Sequence, residues 1–104
     1  MSESIEDLLA RGKALQMEKK YAKSLAACEQ AITLQPTFAL AWNYKGNALL
    51  SLQRFNEALA AFEQAITLDS NFAGAWHNMG ITLRTLHRTA EARAAERRAK
   101  DLGG

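Results

Sequence analysis

The sequence predicts an all-α protein, a stack of three antiparallel helix-turn-helix units, on three observations. Residues 25–34 read LAACEQAITL and residues 59–68 read LAAFEQAITL, matching at nine of ten positions with an offset of 34. The same offset relates Gly12, Gly46 and Gly80; Leu15, Leu49 and Leu83; Ala31, Ala65 and Ala99; and Trp42 and Trp76. No stretch sustains the alternation of apolar and polar residues that a strand requires. A period in the thirties filled with helix formers marks stacked helical hairpins. The chain divides into units 5–38, 39–72 and 73–104, read as one domain spanning residues 1–104, with the third unit two residues short of a full period.

Each element has a local reason. Ser4 followed by Asp7 has capping-box spacing and starts the first helix. Turns within the hairpins are expected near residues 19–20, 53–54 and 87–88. Between units stand Gln35-Pro36-Thr37 and Asp69-Ser70-Asn71, where proline stops a helix and Thr37 and Asn71 can cap the next. Trp42, Gly46 and Leu49 fall at i, i+4 and i+7 on one face of the middle unit's first helix. Gly46 lets the partner helix approach closely, which accounts for a helix-weakening residue recurring at the repeat period. On the second helix, Ala58 and Ala65 are small enough to nest against the first. Phe55, Leu59, Phe62 and Ile66 form a separate stripe, matched in the first unit by Tyr21, Leu25, Cys28 and Ile32. In the third unit the same slots hold Thr89, Arg93, Glu96 and Lys100, a polar outer face suited to a terminal repeat. The expectation is therefore a complete three-repeat protein whose last helix ends at Gly103-Gly104.

These residues resemble the tetratricopeptide repeat family over the whole chain beyond the first four residues. The middle unit supplies Trp42, Gly46, Ala58, Phe62 and Ala65 at the family's signature positions, and the third supplies Trp76, Met79, Gly80, Ala92 and Ala99. The first has Gly12, Tyr21, Ala31 and Pro36. It departs from the pattern with Leu8, Arg11 and Ser24, and the middle unit departs with Lys45 and Ser70. The resemblance implies a right-handed superhelix (an alpha-alpha superhelix) in which the stripe led by Phe55 docks the following repeat.

Composition narrows the function. A chain of 104 residues with 48% hydrophobic content suits one globular domain, and a net charge of +2 names no partner class. Residues 1–38 balance five basic against five acidic, 39–72 carry two against three, and 73–104 carry six against three. The single cysteine, Cys28, fits a reducing compartment. MSESIED is acidic where a signal peptide is basic and then apolar, and no apolar run approaches the length of a membrane span. The expected location is the cytoplasm, without membrane attachment.

No catalytic, metal or cofactor site is expected. His77 and His87 stand ten apart without a cysteine or acidic cluster at ligand spacing, and the glycines are dispersed at the repeat period. Cys28 fills the slot of Phe62 and reads as a small core residue, and both tryptophans read as packing.

The resemblance implies a concave groove lined by the first helices. The lining positions give Glu6, Leu9, Ala10, Lys13, Gln16 and Met17; then Leu40, Asn43, Tyr44, Asn47, Leu50 and Ser51; then Gly74, His77, Asn78, Ile81, Arg84 and Thr85. The residues singled out as partner-binding are Leu9, Lys13, Leu40, Asn43, Tyr44, Asn47, Leu50, His77, Asn78, Ile81 and Arg84. Amides among apolar side chains can hydrogen-bond a peptide backbone both as donors and as acceptors. Family members that clamp the acidic C-terminal tail of a chaperone place Lys, Asn and Arg where this chain has Leu9, Lys13, Tyr44, Gly74 and Asn78, so that ligand is disfavoured. The expected function is a protein-interaction adaptor or scaffold that receives a partner's peptide or helix, as a monomer or weak homo-oligomer. A homo-oligomerising module is the alternative. Nucleic-acid binding through Arg84, Arg88, Arg93, Arg97, Arg98 and Lys100 is disfavoured, because Glu91, Glu96 and Asp101 dilute the charge and no aromatic residues interleave for base stacking.

Overall fold

The three hairpin turns are built alike. In each, a non-glycine residue (Lys19, Gln53 or His87) adopts the left-handed conformation with φ 61°. Its N–H donates to the carbonyl three residues earlier in the chain, that of Gln16, Leu50 or Arg84, while the next residue's N–H reaches the carbonyl of Leu15, Leu49 or Leu83. This double bond pattern satisfies the last carbonyls of the first helix and reverses the chain. In the computed structural model, which describes residues 3–103, the turns join α1 (Ile5–Met17) to α2 (Tyr21–Leu34), α3 (Ala39–Ser51) to α4 (Phe55–Leu68), and α5 (Ala73–Thr85) to α6 (Thr89–Asp101). The described residues form these six helices and no strand, the all-α stack of hairpins expected from the 34-residue period and the superhelix that the resemblance implies. Their extents are 46 × 25 × 19 Å.

Helix starts follow the expected chemistry at one place and depart from it at two. Ser4 Oγ accepts the Asp7 N–H at 3.1 Å, as the capping-box spacing anticipates. At α3 and α5 the cap positions are Phe38 and Phe72, with no side-chain cap bond, so Thr37 and Asn71 stand one residue too early. Asn71 instead donates its backbone N–H to Asp69 Oδ1 at 3.1 Å, a local turn. The inter-repeat loops are tied down from the following helix. Trp42 Nε1 donates to the Pro36 carbonyl at 2.8 Å and Trp76 Nε1 to the Ser70 carbonyl at 2.9 Å. At the far end Gly103 adopts φ 88° and its N–H reaches the Lys100 carbonyl, closing α6; Gly104 lies outside the described residues.

The hairpins close over their glycines. Ser24, in the slot that holds Ala58 and Ala92, is fully buried and donates its hydroxyl to the Gly12 carbonyl at 2.7 Å. Phe62, in the stripe expected to dock the following repeat, does two things: its fully buried ring lies over Gly46 of its own hairpin and joins the core that holds Met79 and Leu83 of the next. Cys28 and Glu96 hold the equivalent places over Gly12 and Gly80. Around Phe62 one core joins Leu25, Leu49, Leu59, Met79, Leu83 and Ala95, and a second gathers Leu8, Leu9, Ala31 and Ala41. The third hairpin is closed more thinly. Ala92, Ala95 and Ala99 are the buried residues of α6, while Glu96 bonds Arg84 of α5 through two contacts. Hairpins dock through α2 on α3 and α4 on α5, and α1, α3 and α5 meet along one side. Among the described residues no helix is long and apolar enough to cross a membrane.

Candidate partner-binding groove

The face shared by α1, α3 and α5 carries an open cavity of about 440 Å³ at the junction of the first two repeats. Lys13, Gln16 and Met17 line it from α1, and Tyr44, Asn47, Leu50 and Ser51 from α3. Gln16 Nε2 donates to the Tyr44 carbonyl at 2.9 Å, which fixes the wall. Met17 is 77% exposed, a flexible apolar rim. Tyr21, the first residue of α2, also lines the cavity. Its slot matches Phe55 and so belongs to the expected stacking stripe; its place beside the hairpin turn is what brings it to the groove.

The remaining residues of the expected groove are distributed unevenly. Leu9 is a correction: it is only 6% exposed and packs with Leu8, Ala31 and Ala41, so it supports the groove from beneath without lining it. Leu40 and Tyr44 pack against the same cluster and stay half-buried. Asn43 is also buried, at 6% exposure, and its Oδ1 accepts from Asn78 Nδ2 at 3.3 Å. The two amides therefore join α3 to α5 and are not both available to a ligand backbone. His77 and Ile81 project from α5 into solvent, Ile81 being 43% exposed. Arg84 turns toward α6, where its guanidinium holds the Glu96 carboxyl below the ordinary carboxylate range. Lys13, Tyr44, Asn47 and Leu50 are thus the expected residues that the fold brings to one cavity.

On the opposite side a furrow of about 510 Å³ runs between α4, α5 and α6, lined by Leu59, Ile66, Trp76, Met79, Leu83 and Arg98 among others. The Arg98 guanidinium lies 6.0 Å from the Trp76 ring centroid. One repeat earlier the corresponding depression is about 260 Å³, and the Lys45 ammonium sits 5.2 Å above Trp42 and 3.9 Å from Glu29. The tryptophans hold the inter-repeat loops with their indole N–H groups and stay half-buried, each ring with a cation over it. Sequence reading missed the furrow because it assigned both to packing.

Among the described residues no group of three or more His, Cys, Asp or Glu side chains could hold a metal ion. Cys28 is fully buried, and burial pushes its thiol up to about 11, against a smaller opposing effect of the Ser24 hydroxyl. A thiol with so little thiolate is a poor nucleophile. In native protein at pH 8, Cys28 is expected to resist iodoacetamide for hours, and to alkylate within minutes once urea unfolds the chain. Equal rates in the two states, read by mass spectrometry, would show that the thiol is accessible.

Two family models described as tetratricopeptide repeat match the chain, over residues 39–72 and 61–94. Solved structures with this fold include the second TPR of Spaghetti (RPAP3) bound to HSP90 peptide SRMEEVD, at TM-score 0.92 and 24% identity over 96% of this chain and 93% of that one. The Sgt2 TPR domain from Aspergillus fumigatus superposes at TM-score 0.94 with 19% identity, covering 99% and 68% of the two chains. The Arabidopsis OM64 TPR domain gives 0.92 with 26% identity over 94% and 81%. No curated protein sequence matches this one.

Proposed function

We propose that this chain, which belongs to the tetratricopeptide repeat family, is a protein-interaction adaptor that receives a peptide or helix from a partner along its concave face. The observation that carries the reading is the cavity formed by Tyr44, Asn47, Leu50 and Lys13. It is an apolar recess with an amide and an ammonium converging on it, built on helices and not on loops. The partner in this reading is not the chaperone tail that the RPAP3 repeats hold in their complex. Leu9 is buried, Gly74 carries no side chain, and the Asn78 amide is bonded to Asn43, which leaves Lys13 as the one cation at the clamp positions. The reading takes residues 1–104 as one domain with repeats 5–38, 39–72 and 73–104, acting as a monomer or weak homo-oligomer. It places the protein in the cytoplasm, where the Cys28 thiol stays reduced.

A partner recovered by affinity pull-down is expected to lose about thirtyfold in affinity with Tyr44→Ala, the ~2 kcal/mol of a central aromatic anchor. It is expected to bind Arg97→Ala/Arg98→Ala almost unchanged, since those arginines lie on α6 outside the concave cavity, Arg98 against Trp76 in the furrow between α4, α5 and α6. Tyr44 also packs against the Leu8–Leu9 cluster, so its removal lowers the melting midpoint as well. Binding is therefore to be measured well below that midpoint, with Asn47→Ala as a second groove variant. Loss of binding in the arginine variant, with both groove variants intact, would move the working surface to the charged end of the array.

A further inference from the structure

The charge balance of the first repeat conceals a separation. Glu3, Glu6 and Asp7 sit at the start of α1, whereas Lys13, Lys19, Lys20 and Lys23 gather toward and beyond its end, around the first hairpin turn. The other two turns show what is unusual here. At the second, Arg54 bonds Glu57 at 2.9 and 2.6 Å; at the third, Arg88 bonds Glu91 at 2.9 and 2.7 Å. The matching positions of the first turn are Lys20 and Lys23, so the acidic member of the pair is replaced by a second cation. Glu18 stands 3.5 Å from the Lys20 ammonium, and among the described residues no carboxylate lies within ion-pair distance of Lys13, Lys19 or Lys23. Four lysines against Glu18 leave a local excess of three positive charges.

This cluster adjoins the groove. Lys19, Lys20, Tyr21, Lys23 and Leu52 line an open recess of about 390 Å³, and Tyr21 also lines the concave cavity that holds Lys13, Tyr44 and Leu50. Tyr21 is thus common to the two recesses, and lysines flank the second. The third repeat offers no such continuity, because Arg84 and Arg88 are engaged by Glu96 and Glu91.

Resting on the groove reading above, we propose that the partner segment is an internal acidic peptide bound with fixed polarity: an apolar or aromatic side chain enters the Tyr21–Tyr44–Leu50 cavity, and carboxylates on one side of it lie over Lys13, Lys19, Lys20 and Lys23. Charge complementarity sets the direction of the segment and speeds its capture. The interaction is with side-chain carboxylates, so a free chain terminus is not required.

The test uses the full chain and a random dodecapeptide library displayed on phage through the peptides' C-termini. Selected peptides are expected to carry Asp or Glu on one consistent side of an aromatic or aliphatic anchor. A selected peptide, synthesised with an amidated C-terminus and a fluorescent label, is expected to bind Lys19→Gln/Lys20→Gln/Lys23→Gln about tenfold more weakly. The triple Lys→Arg variant should retain binding, and raising salt from about 0.05 to 0.5 M should shrink the difference as screening shortens the reach of the charges. Selected peptides without acidic residues, or equal binding to the Gln variant, would overturn the inference. If Tyr44→Ala still abolished binding of such peptides, the groove reading would survive alone. Selection of nothing by the native chain would overturn both. A single-stranded oligonucleotide that displaced the peptide and kept its own affinity for Tyr44→Ala would also overturn the inference, making the lysines a general polyanion site.

Discussion

Gly46→Leu is expected to destabilise the protein by about 3 kcal/mol, at the upper end of the usual cost of overpacking. A Cβ at Gly46 would stand 2.6 and 2.7 Å from Cδ1 and Cζ of Phe62, inside any carbon–carbon contact, and that ring is fully buried, so it cannot swing out into solvent. The substituent must push α3 from α4 or drive Phe62 off its rotamer, and Leu adds three further carbons to the conflict. The other crossings are more forgiving. At Gly80 the nearest atom to an added Cβ is Glu96 Cγ at 3.0 Å, on a half-buried side chain that can swing outward. Gly80→Ala also gains up to about 1 kcal/mol of helix propensity. Urea titrations should therefore rank Gly46→Ala well below Gly80→Ala in stability. In a domain of this size a loss of 3 kcal/mol moves the melting midpoint down by more than ~12 °C. Equal midpoints for Gly46→Leu and Gly80→Leu would mean that the two crossings are equally tight and that the Phe62 ring is not the obstacle.

Phe62→Ala is the second large effect, an expected loss of about 3–5 kcal/mol. The ring touches its own hairpin at Gly46 and belongs to the core shared with Met79 and Leu83, so its removal leaves a void between two repeats. The other buried residues of α4 are Leu59 and the alanines Ala58, Ala61 and Ala65, and an alanine side chain is too short to reach into the space of a lost ring. Combining Gly46→Leu with Phe62→Ala distinguishes this account from simple addition. The new leucine occupies the vacated volume, so the double variant should be more stable than the sum of the single losses by at least 1 kcal/mol. Strict additivity in denaturant midpoints would show that the two sites do not share a space.

The helices and their turns were legible because each is specified locally and stated three times at a fixed interval. Threefold repetition let weak signals reinforce one another: an isolated Gly46 is ambiguous, while Gly12, Gly46 and Gly80 together mark a helix crossing. The helix caps were less legible. Thr37 and Asn71 have the right chemistry, but the chain bends one residue later, at Phe38 and Phe72, where the Trp42 and Trp76 indoles hold the loops. Of the residues expected in the groove, Lys13, Tyr44, Asn47 and Leu50 line one cavity and the others do not, for a geometric cause. Which side of a first helix faces solvent depends on how far each hairpin rotates against the next, and that rotation is a property of packed pairs. It buries Leu9 and Asn43, and brings Tyr21 to a surface that its repeat position did not suggest. The furrow behind Trp76 was illegible for the same reason, since its walls belong to three helices separated by up to forty residues of chain.

The thin closure of the third hairpin sets an order of events along the array. In a linear stack each unit is held by itself and its neighbours alone, so opening begins at an end and advances inward. The first unit closes over Cys28 and a buried Ser24 hydroxyl bond, the middle one over an aromatic ring, and the last over alanines and a carboxylate. The C-terminal hairpin is accordingly expected to open at lower free energy than the other two, which amide hydrogen exchange would read as weaker protection in α5 and α6. His77 and Ile81 travel with it, and the Asn43–Asn78 bond breaks as it leaves. A ligand spanning all three units meets a receptor whose far wall swings, and bound ligand holds that wall shut; one confined to Tyr44 and the lysines of the first turn binds a surface that is complete throughout.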